Sequence, residues 1–337
     1  MTHTQIIDHG LFQGQMLKEA RLETAGLSLS LLNFGAVTRD LRYIASGADR
    51  PLILGYQNPA DYLENPAYMG VIAGRLAGRT KGARFELDGK IIALDVNEGK
   101  NHLHGGGQGL SHVFWDLDLL DAATAQLTYT SPDGENGYPG AAKFTVTVRL
   151  EDNAVTYDMQ AEVDQKTPIS LAQHNYYNLA GGADTIWGHR LQMDADRVLM
   201  LDGTNVPSGD IESVAGGRFD FGAERSLLEN DPSRLGMDHN LCFAIGRGNS
   251  MSVATVTAPD GLRMRVFSDQ PGAQVYTAGG MAAQAGGLPG QQLGPFQGIC
   301  IEPQGFPNAV NCPNFPDVLA TPDRPYRQIL RLEFDQT

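Results

Sequence analysis

The chain has 337 residues and a hydrophobic fraction of 42%, enough apolar material for a large buried core. Its 25 Lys and Arg residues against 39 Asp and Glu residues give a net charge of -14 at pH 7. Such an acidic surface repels a phosphate backbone, so we expect no nucleic-acid partner. No linker or charge block divides the chain, and one large domain or two tightly packed halves are both open at this point.

The cysteine content and the hydropathy pattern predict a compartment. Cys242, Cys300 and Cys312 cannot all pair, and none of them belongs to a C-x-x-C motif, which favours a reduced, cytosolic protein. No apolar stretch reaches the roughly 18 residues of a membrane-spanning helix, and no basic segment followed by an apolar run opens the chain. We therefore expect a soluble, cytoplasmic protein without a membrane partner.

Alternation of apolar and polar residues with a period of two dominates the chain. The predicted strands are Leu27–Phe34, Ala36–Ile44, the two arms of a hairpin over Phe85–Leu94, Gln126–Ser131, Phe144–Leu150, Val155–Val163, the arms Ser252–Thr257 and Leu262–Phe267 of a second hairpin, and Gln328–Phe334. Asp-Gly dipeptides at positions 88–89 and 260–261 mark the two hairpin turns. No stretch keeps a helical period over three turns. The pattern predicts an all-β fold, a large antiparallel β-sandwich.

Two irregular segments interrupt this series of strands. Residues 279–294 are rich in Gly, Ala and Gln and are expected to form an exposed loop. Four prolines between Pro313 and Pro325 mark a second irregular stretch before the last strand.

The segment Asn101–Gly109, with the sequence NHLHGGGQG, joins two imidazoles to a glycine cluster at the end of a predicted strand. In an extended chain, His102 and His104 project from the same face. Imidazole titrates near neutrality and ligates metals, and glycine lets the backbone approach a ligand closely. A polar ligand site is expected here. A divalent-metal site of His102, His104 and a carboxylate is one alternative.

A second histidine lies in the segment Ser170–Gly181. Alternation places four residues on one face of a strand, namely Ala172, His174, Tyr176 and Asn178. Polar groups therefore line up where a half-buried strand shows either its core side or its solvent side. The row is either a ligand-binding surface or a polar face that meets water.

Glu302 follows the apolar strand Gly298–Ile301 and precedes Pro303. A carboxylate at a strand end, held by a stiff proline turn, is well placed to act as a general base. The alternative is an ordinary exposed glutamate at a strand terminus.

Three further polar segments are less specific, and the first two have two interpretations each. Arg75 and Arg79 either grip a substrate oxygen or pair with surface acids. Asp238–Asn240 either binds hydroxyl groups or forms an Asx-type turn. Ser131–Gly140, with the sequence SPDGENGYPG, is a dense turn sequence that by itself predicts only a loop.

Taken together, these segments resemble, in order and spacing, the aldose 1-epimerases, also called galactose mutarotases. The resemblance is carried by Arg79, Asn101–Gly106, Ser131–Gly140, His174–Tyr176, Asp238–Asn240, Gln274–Thr277 and Glu302. It spans nearly the whole chain, from Asn33 to the final strand. The motifs LHGG, SPDGENGYPG and H-x-Y-x-N-L-A-G are specific because they rarely coincide by chance.

The resemblance implies a single β-sandwich domain over residues 1–337, with the sugar site on a concave sheet face. It also implies that Glu302 is the catalytic base and His174 the catalytic acid, with no metal and no cofactor. The positions that match residues binding the sugar or orienting the reacting groups are Arg79, His104, Tyr176, Asp238 and Gln274. His102 is then interpreted as structural.

This chemistry interconverts the α and β anomers of a free aldose such as galactose or glucose. A carboxyl group with a pKa of about 4.3 is ionised at neutral pH, and an imidazole with a pKa of about 6.5 is partly protonated. The faces of Tyr176 or Trp115 could stack on a pyranose ring. The expected partner is a monosaccharide, and the expected assembly is a monomer or a homodimer.

Three departures from the family pattern bear on substrate preference. Gly78 stands where many members carry Asn, Tyr177 replaces the commoner Phe, and the loop at 279–294 is unusually small and polar. A non-catalytic sugar-binding module on the same fold is the alternative function. An epimerase of hexose 6-phosphates would need a cationic phosphate pocket, which the sequence does not reveal.

Overall fold

The computed structural model describes residues 4–244 and 251–336. Its strands are β1 Gln5–Phe12, β2 Gln15–Glu23, β3 Leu27–Leu32, β4 Thr38–Tyr43, β5 Arg50–Pro51, β6 Ile72–Ala73, β7 Arg79–Thr80, β8 Arg84–Leu87, β9 Lys90–Ala93, β10 His102–Leu103, β11 Asp116–Asp121, β12 Thr124–Ser131, β13 Ala142–Leu150, β14 Ala154–Val163, β15 Thr167–Pro168, β16 Ala172–Gln173, β17 Arg190–Met193, β18 Ala195–Leu201, β19 Pro207–Ser213, β20 Arg225–Ser226, β21 Asp238–Phe243, β22 Ala254–Thr257, β23 Leu262–Ser268, β24 Gly272–Tyr276, β25 Cys300–Gln304, β26 Leu319–Ala320 and β27 Tyr326–Gln336.

Helical structure is short in the described ranges. One α-helix, α1, spans Leu227–Asn230. The 3₁₀ turns are Ala45–Gly47, Pro59–Glu64, Lys81–Ala83, Leu110–His112, Glu135–Gly137, Ile186–Gly188 and Ala309–Asn311. No helix in the part of the chain that is described is long and apolar enough to span a membrane.

The strands form three large sheets. A nine-stranded sheet has the order β11-β12-β13-β14-β27-β23-β22-β17-β20, and two five-stranded sheets have the orders β1-β2-β3-β4-β5 and β19-β18-β21-β24-β25. The pairings within all three are antiparallel, for example β13 with β14 and β14 with β27. The all-β, antiparallel fold class predicted from the sequence is therefore confirmed.

Both hairpins predicted from Asp-Gly dipeptides are present. β8 and β9 pair around Asp88 and Gly89, which have φ angles of 51° and 77°. Such left-handed angles suit the tight turn between twisted antiparallel strands. β22 and β23 pair around the second dipeptide, where Gly261 has a φ of 91°. The other strands of that predicted series also occur, with ends shifted by a few residues, whereas the strand predicted around His174 does not.

Apolar side chains on alternate strand positions fill one large core cluster. In β13, Phe144, Val146 and Val148 are buried, and in β27 Leu330 and Leu332 are fully buried. Because successive side chains of a strand point to opposite faces, the facing sheets bury these rows against one another. β27 also pairs with β14 on one side and with β23 on the other, so the last strand joins the two halves of the nine-stranded sheet.

The sheet β19-β18-β21-β24-β25 has two chemically different faces. Leu241, Val275 and Ile301 lie on the core side. The opposite face carries polar residues in register, with Gln274 opposite Glu302. Period-two alternation therefore places a polar surface directly over the hydrophobic core.

Candidate active site

A cavity of about 330 Å³ lies over this polar sheet face. All seven residues that the sequence suggested as site residues line it, namely Arg79, His104, His174, Tyr176, Asp238, Gln274 and Glu302. They come from separate strands and loops spread over more than 220 positions of the chain. The fold thus brings all of these distant candidates to one cavity.

Glu302 and His174 lie together at the floor of this cavity. Glu302 is 2% exposed and His174 is 5% exposed, and Oε1 of Glu302 lies 3.8 Å from Nε2 of His174. The expectation of an exposed glutamate at a strand end is wrong, because Glu302 is the third residue of β25 and the strand continues through Pro303. A buried carboxyl group facing an imidazole can exchange protons with a bound molecule.

Burial shifts both pKa values toward the neutral forms. Desolvation, with a smaller contribution from the charge of Asp238, raises the pKa of Glu302 well above 4.5. Desolvation also lowers the pKa of His174 to about 4. Both pKa shifts run against the sequence-based expectation of an ionised Glu302 beside a partly protonated His174.

The second histidine segment does not form the predicted continuous strand. β16 covers only two residues, and His174 follows it in extended backbone that is packed in the interior. Tyr176 is 2% exposed and donates a hydrogen bond of 2.8 Å from its hydroxyl to the carbonyl oxygen of Ala67. A polar face that meets water is therefore the wrong interpretation of this row.

Asp238 holds two other cavity residues in place. Its Oδ1 accepts a hydrogen bond of 2.6 Å from Nε2 of Gln274, and its Oδ2 lies 3.5 Å from the guanidinium of Arg79. Arg79 also donates to Glu98 at 2.9 Å. Asp238 begins β21 rather than an Asx-type turn, so the turn interpretation is wrong. The carboxylate organises the polar wall before any ligand arrives.

Aromatic and imidazole rings form another wall of the cavity. The His104 ring lies 5.3 Å from His174 and 4.7 Å from Tyr68, measured between ring centroids. Burial and the neighbouring His174 hold the pKa of His104 well below 6.5. His104 is therefore neutral at pH 7, and its Nδ1 accepts a hydrogen bond of 3.3 Å from the backbone N–H of Gly78.

The two histidines of the segment Asn101–Gly109 do not share a face. β10 ends at Leu103, and His104 has a φ of 50°, so the extended backbone stops between the two imidazoles. His102 is fully buried and bonds the hydroxyl of Tyr138 at 2.6 Å and the carbonyl of Asp95 at 2.6 Å. The structural role expected for His102 fits these contacts, and the alternative metal site of His102 with His104 does not.

One other cluster of metal-type donors exists among the described residues. One donor atom each from His174, Cys300 and Glu302 lies within 4.8 Å of the others. Nδ1 of His174 faces the Cys300 sulfur at 3.7 Å, whereas Nε2 faces Glu302 at 3.8 Å. The nearest contacts of the imidazole with its two neighbours therefore use different ring nitrogens, whereas a metal ion would take both neighbours together with a single nitrogen.

Two further expectations are corrected by the structure. Trp115 lies in the hydrophobic core at 2% exposure and is absent from the cavity wall, so it cannot stack on a ligand there. Arg75 is also buried, and it donates to Ser131 and to the carbonyl oxygens of Pro132 and Gly140. It fixes the turn-rich loop, and only Arg79 of the two arginines reaches the cavity.

The three departures from the family pattern lie in different places. Gly78 lines the cavity, and a side chain there would meet Pro307 at 2.8 Å. Residues 279–294 are mostly exposed, as expected, and contribute Met281 and Gln284 to the cavity wall. Tyr177 is fully buried in the core away from the cavity. The first two departures therefore touch the site, and the third does not.

Sequence reasoning missed several residues at the site. Cys300 and Gln304 lie two positions on either side of Glu302 in β25, so strand alternation could have found them. Tyr68 gives no comparable signal, because it lies in an irregular segment with a φ of 52°. Its position depends on the tertiary structure alone.

Comparisons with known proteins agree with this architecture. The family model described as aldose 1-epimerase matches residues 18–333. Galactose mutarotase from Sus scrofa is 33% identical over 314 residues, which cover 92% of each chain. Aldose 1-epimerase from Escherichia coli K12 is 30% identical over 324 residues, again with 92% coverage of each chain.

Solved structures give the same result. An aldose epimerase homologue from C. elegans superposes with a TM-score of 0.89 and 27% identity, covering 95% of this chain and 99% of its own. Galactose 1-epimerase from Lactobacillus acidophilus has a TM-score of 0.87 at 26% identity, with 100% and 99% coverage. Since the family model and the relatives cover nearly the full length, the chain belongs to the aldose 1-epimerase family.

Proposed function

We propose that this member of the aldose 1-epimerase family interconverts the α and β anomers of a free aldose such as galactose or glucose, with Glu302 and His174 as its acid–base pair. The reaction class, an isomerisation at the anomeric carbon, follows from the family. The observation that carries the residue roles is the buried contact of 3.8 Å between the carboxyl and the imidazole at the cavity floor. Around it lie the polar side chains of Arg79, Asp238 and Gln274.

The reaction needs one proton acceptor and one proton donor. The acceptor takes the proton of the C1 hydroxyl, the bond between C1 and the ring oxygen breaks, and the donor protonates the ring oxygen. Rotation about C1–C2 then exposes the other face of the aldehyde, and the steps run in reverse. In this proposal Glu302 is the acceptor and His174 the donor, and bound sugar hydroxyls that donate to the carboxyl group favour its ionised form.

The charges around the cavity support a neutral sugar. Arg79 is its one cationic wall residue in the described part of the chain, and it is already paired with Glu98 at 2.9 Å and with Asp238 at 3.5 Å. A phosphate group would have to compete with two carboxylates for this guanidinium. We therefore place free aldoses, rather than hexose 6-phosphates, among the substrates.

Replacing the acid–base residues tests the proposal. We expect Glu302→Gln and His174→Asn each to lower kcat about 10²- to 10⁴-fold, because each removes one of the two proton-transfer groups. Polarimetry of freshly dissolved α-D-galactose and α-D-glucose measures the rate. Glu86→Gln, on the exposed side of β8, is the matched control and should keep full activity.

The same experiment separates the proposal from a non-catalytic sugar-binding module. Near wild-type acceleration in the Glu302→Gln protein would refute the role of Glu302. A wild-type protein that binds galactose but does not accelerate equilibration of the anomers would favour the binding module. A panel of glucose, galactose, xylose and arabinose would then rank the substrates.

The proposed setting is the cytoplasm, with the protein as a monomer or a homodimer. Cys242, Cys300 and Cys312 are all free and buried, which suits a reducing compartment. The net charge of -14 supports the expectation that nucleic acid is not a partner.

A further inference from the structure

One polar group at the floor of the cavity has no partner within the described part of the protein. Gln304 is 1% exposed and lines the cavity. Its Oε1 atom is buried and makes no hydrogen bond. Among the described residues that line the cavity, no other has such an atom. Buried acceptors are nearly always satisfied in folded proteins, so this one calls for an external donor.

The position of Gln304 relative to the acid–base pair is fixed by the strand. It lies two residues beyond Glu302 in β25, and alternation puts both side chains on the same face. Two residues of a strand span about 6.5 Å, a distance comparable with the width of a pyranose ring. A sugar whose anomeric carbon meets Glu302 can therefore reach Gln304 with a hydroxyl on the far side of the ring.

The neighbouring polar residues differ from Gln304 in one respect. Gln274 and Asp238 are bonded to each other at 2.6 Å, and Asp238 is also near Arg79. These groups are satisfied before a sugar enters. The Oε1 atom of Gln304 gains a partner only when a donor occupies the cavity.

We propose that Gln304 is a further substrate-binding residue, whose amide oxygen accepts a hydrogen bond from a sugar hydroxyl remote from the anomeric carbon. This inference rests on the proposed function, because it takes the aldose as the ligand of the cavity. The terminal torsion of glutamine has a broad energy minimum, so the amide plane turns toward the ligand at little cost. The unsatisfied Oε1 atom lowers the stability of the sugar-free protein, and its hydrogen bond to the sugar strengthens binding.

Gln304→Met tests both effects, on stability and on binding, because methionine has a similar volume and no amide. We expect KM for galactose to rise about fivefold to tenfold, which is the effect of one hydrogen bond, while kcat stays within about twofold. The thermal midpoint measured without sugar should rise by about 1–2 °C, because an unsatisfied buried acceptor is removed. A purely structural residue would lower the midpoint instead.

Gln297→Met is the matched control. Gln297 is also buried with an unpartnered Oε1 atom, but it does not line the cavity. The control should therefore raise the thermal midpoint in the same way and leave KM unchanged.

Deoxy analogues of galactose identify the hydroxyl. The wild type should bind the analogue that lacks the relevant hydroxyl (at C3, C4 or C6) less tightly, and Gln304→Met should show no further loss with it. The 2-deoxy analogue should lose affinity equally in both proteins, since its missing hydroxyl lies next to the anomeric carbon. Such non-additivity is the signature of a direct contact.

Two outcomes would overturn the inference: an unchanged KM in Gln304→Met, or losses that are additive for all four deoxy analogues. Calorimetric titration with galactose separates this failure from failure of the proposed function. If the wild type binds galactose without accelerating mutarotation, the function fails, and weaker binding by Gln304→Met still supports the contact.

Discussion

At the scale of single residues, the environment of Glu302 and His174 matters more than their identity. Both side chains are almost fully buried, and desolvation raises the pKa of Glu302 and lowers the pKa of His174 to about 4. At a pH above the pKa of His174 and below the raised pKa of Glu302, the two side chains together hold one proton. A neutral pair and an ion pair contain the same proton count, so the proton can shift to the arrangement that the bound sugar favours.

This one-proton state predicts a bell-shaped pH profile. Below about pH 4 His174 is protonated as well as Glu302, so no proton acceptor remains. Above the raised pKa of Glu302 the pair has lost its proton, so no donor remains. We expect kcat/KM for galactose to fall on both sides, with the acid limb near pH 4, in polarimetry corrected for uncatalysed mutarotation.

The position of the acid limb is the decisive part of that measurement. An acid limb near pH 6.5 would show that His174 titrates as a solvated imidazole, and the burial argument would then be wrong. The control is circular dichroism at the assay temperature, which should show a folded protein at every pH measured and so separates titration of the site from loss of the fold.

At the scale of an element, the segment after β10 shows how the backbone positions a cavity residue. The strand ends at Leu103, and His104, Gly105 and Gly106 follow with φ angles of 50°, 90° and 96°. A Cβ atom at Gly105 would lie 1.6 Å from the carbonyl oxygen of Gly74. Glycine is required there because two backbone segments touch, directly beside the cavity residue His104.

Gly105→Ala tests that packing. We expect the free energy of unfolding to fall by about 3 kcal/mol or more, because backbone must move to admit the methyl group. Gly134→Ala is the control: Gly134 has a φ of 82°, and a Cβ atom added there would have open space for 4 Å around it. The free energy of unfolding of Gly134→Ala should fall by only about 1 kcal/mol, from backbone strain. Urea unfolding of both variants measures the difference, and equal losses would contradict the steric explanation.

At the scale of the whole molecule, one core cluster includes residues from Ala20 to Phe334. We propose on this basis that residues 1–337 form a single domain. β27 pairs with both β14 and β23, so the last strand completes the centre of the nine-stranded sheet. The stability of the fold therefore depends on contacts between residues far apart in sequence.

Leu332→Ala tests this dependence. Leu332 is fully buried and lies opposite Val155 on one side and Val266 on the other. Its truncation should lower the free energy of unfolding by about 2–5 kcal/mol, as for other large cavities in cores. The kcat of the folded fraction should be unchanged, because Leu332 lies in another sheet than Glu302 and does not line the cavity.

Gln160→Ala, an exposed substitution on β14, is the control for that experiment. It should change stability by less than about 0.5 kcal/mol in the same denaturant titration. A similarly small effect of Leu332→Ala would contradict the central role given to β27.

The sequence by itself determined the fold class, most strands and both Asp-Gly hairpins, because strand alternation and turn chemistry are local properties. It also indicated seven of the residues that line the cavity, through motifs that resemble a known family. Tertiary structure alone decided the rest. It places His102 and His104 on different faces, buries Glu302 and packs Trp115 in the core. It also leaves the Oε1 atom of Gln304 without a partner. These features depend on which distant segments exclude water from a side chain, and that is set by packing between elements, not by the order of residues along one of them.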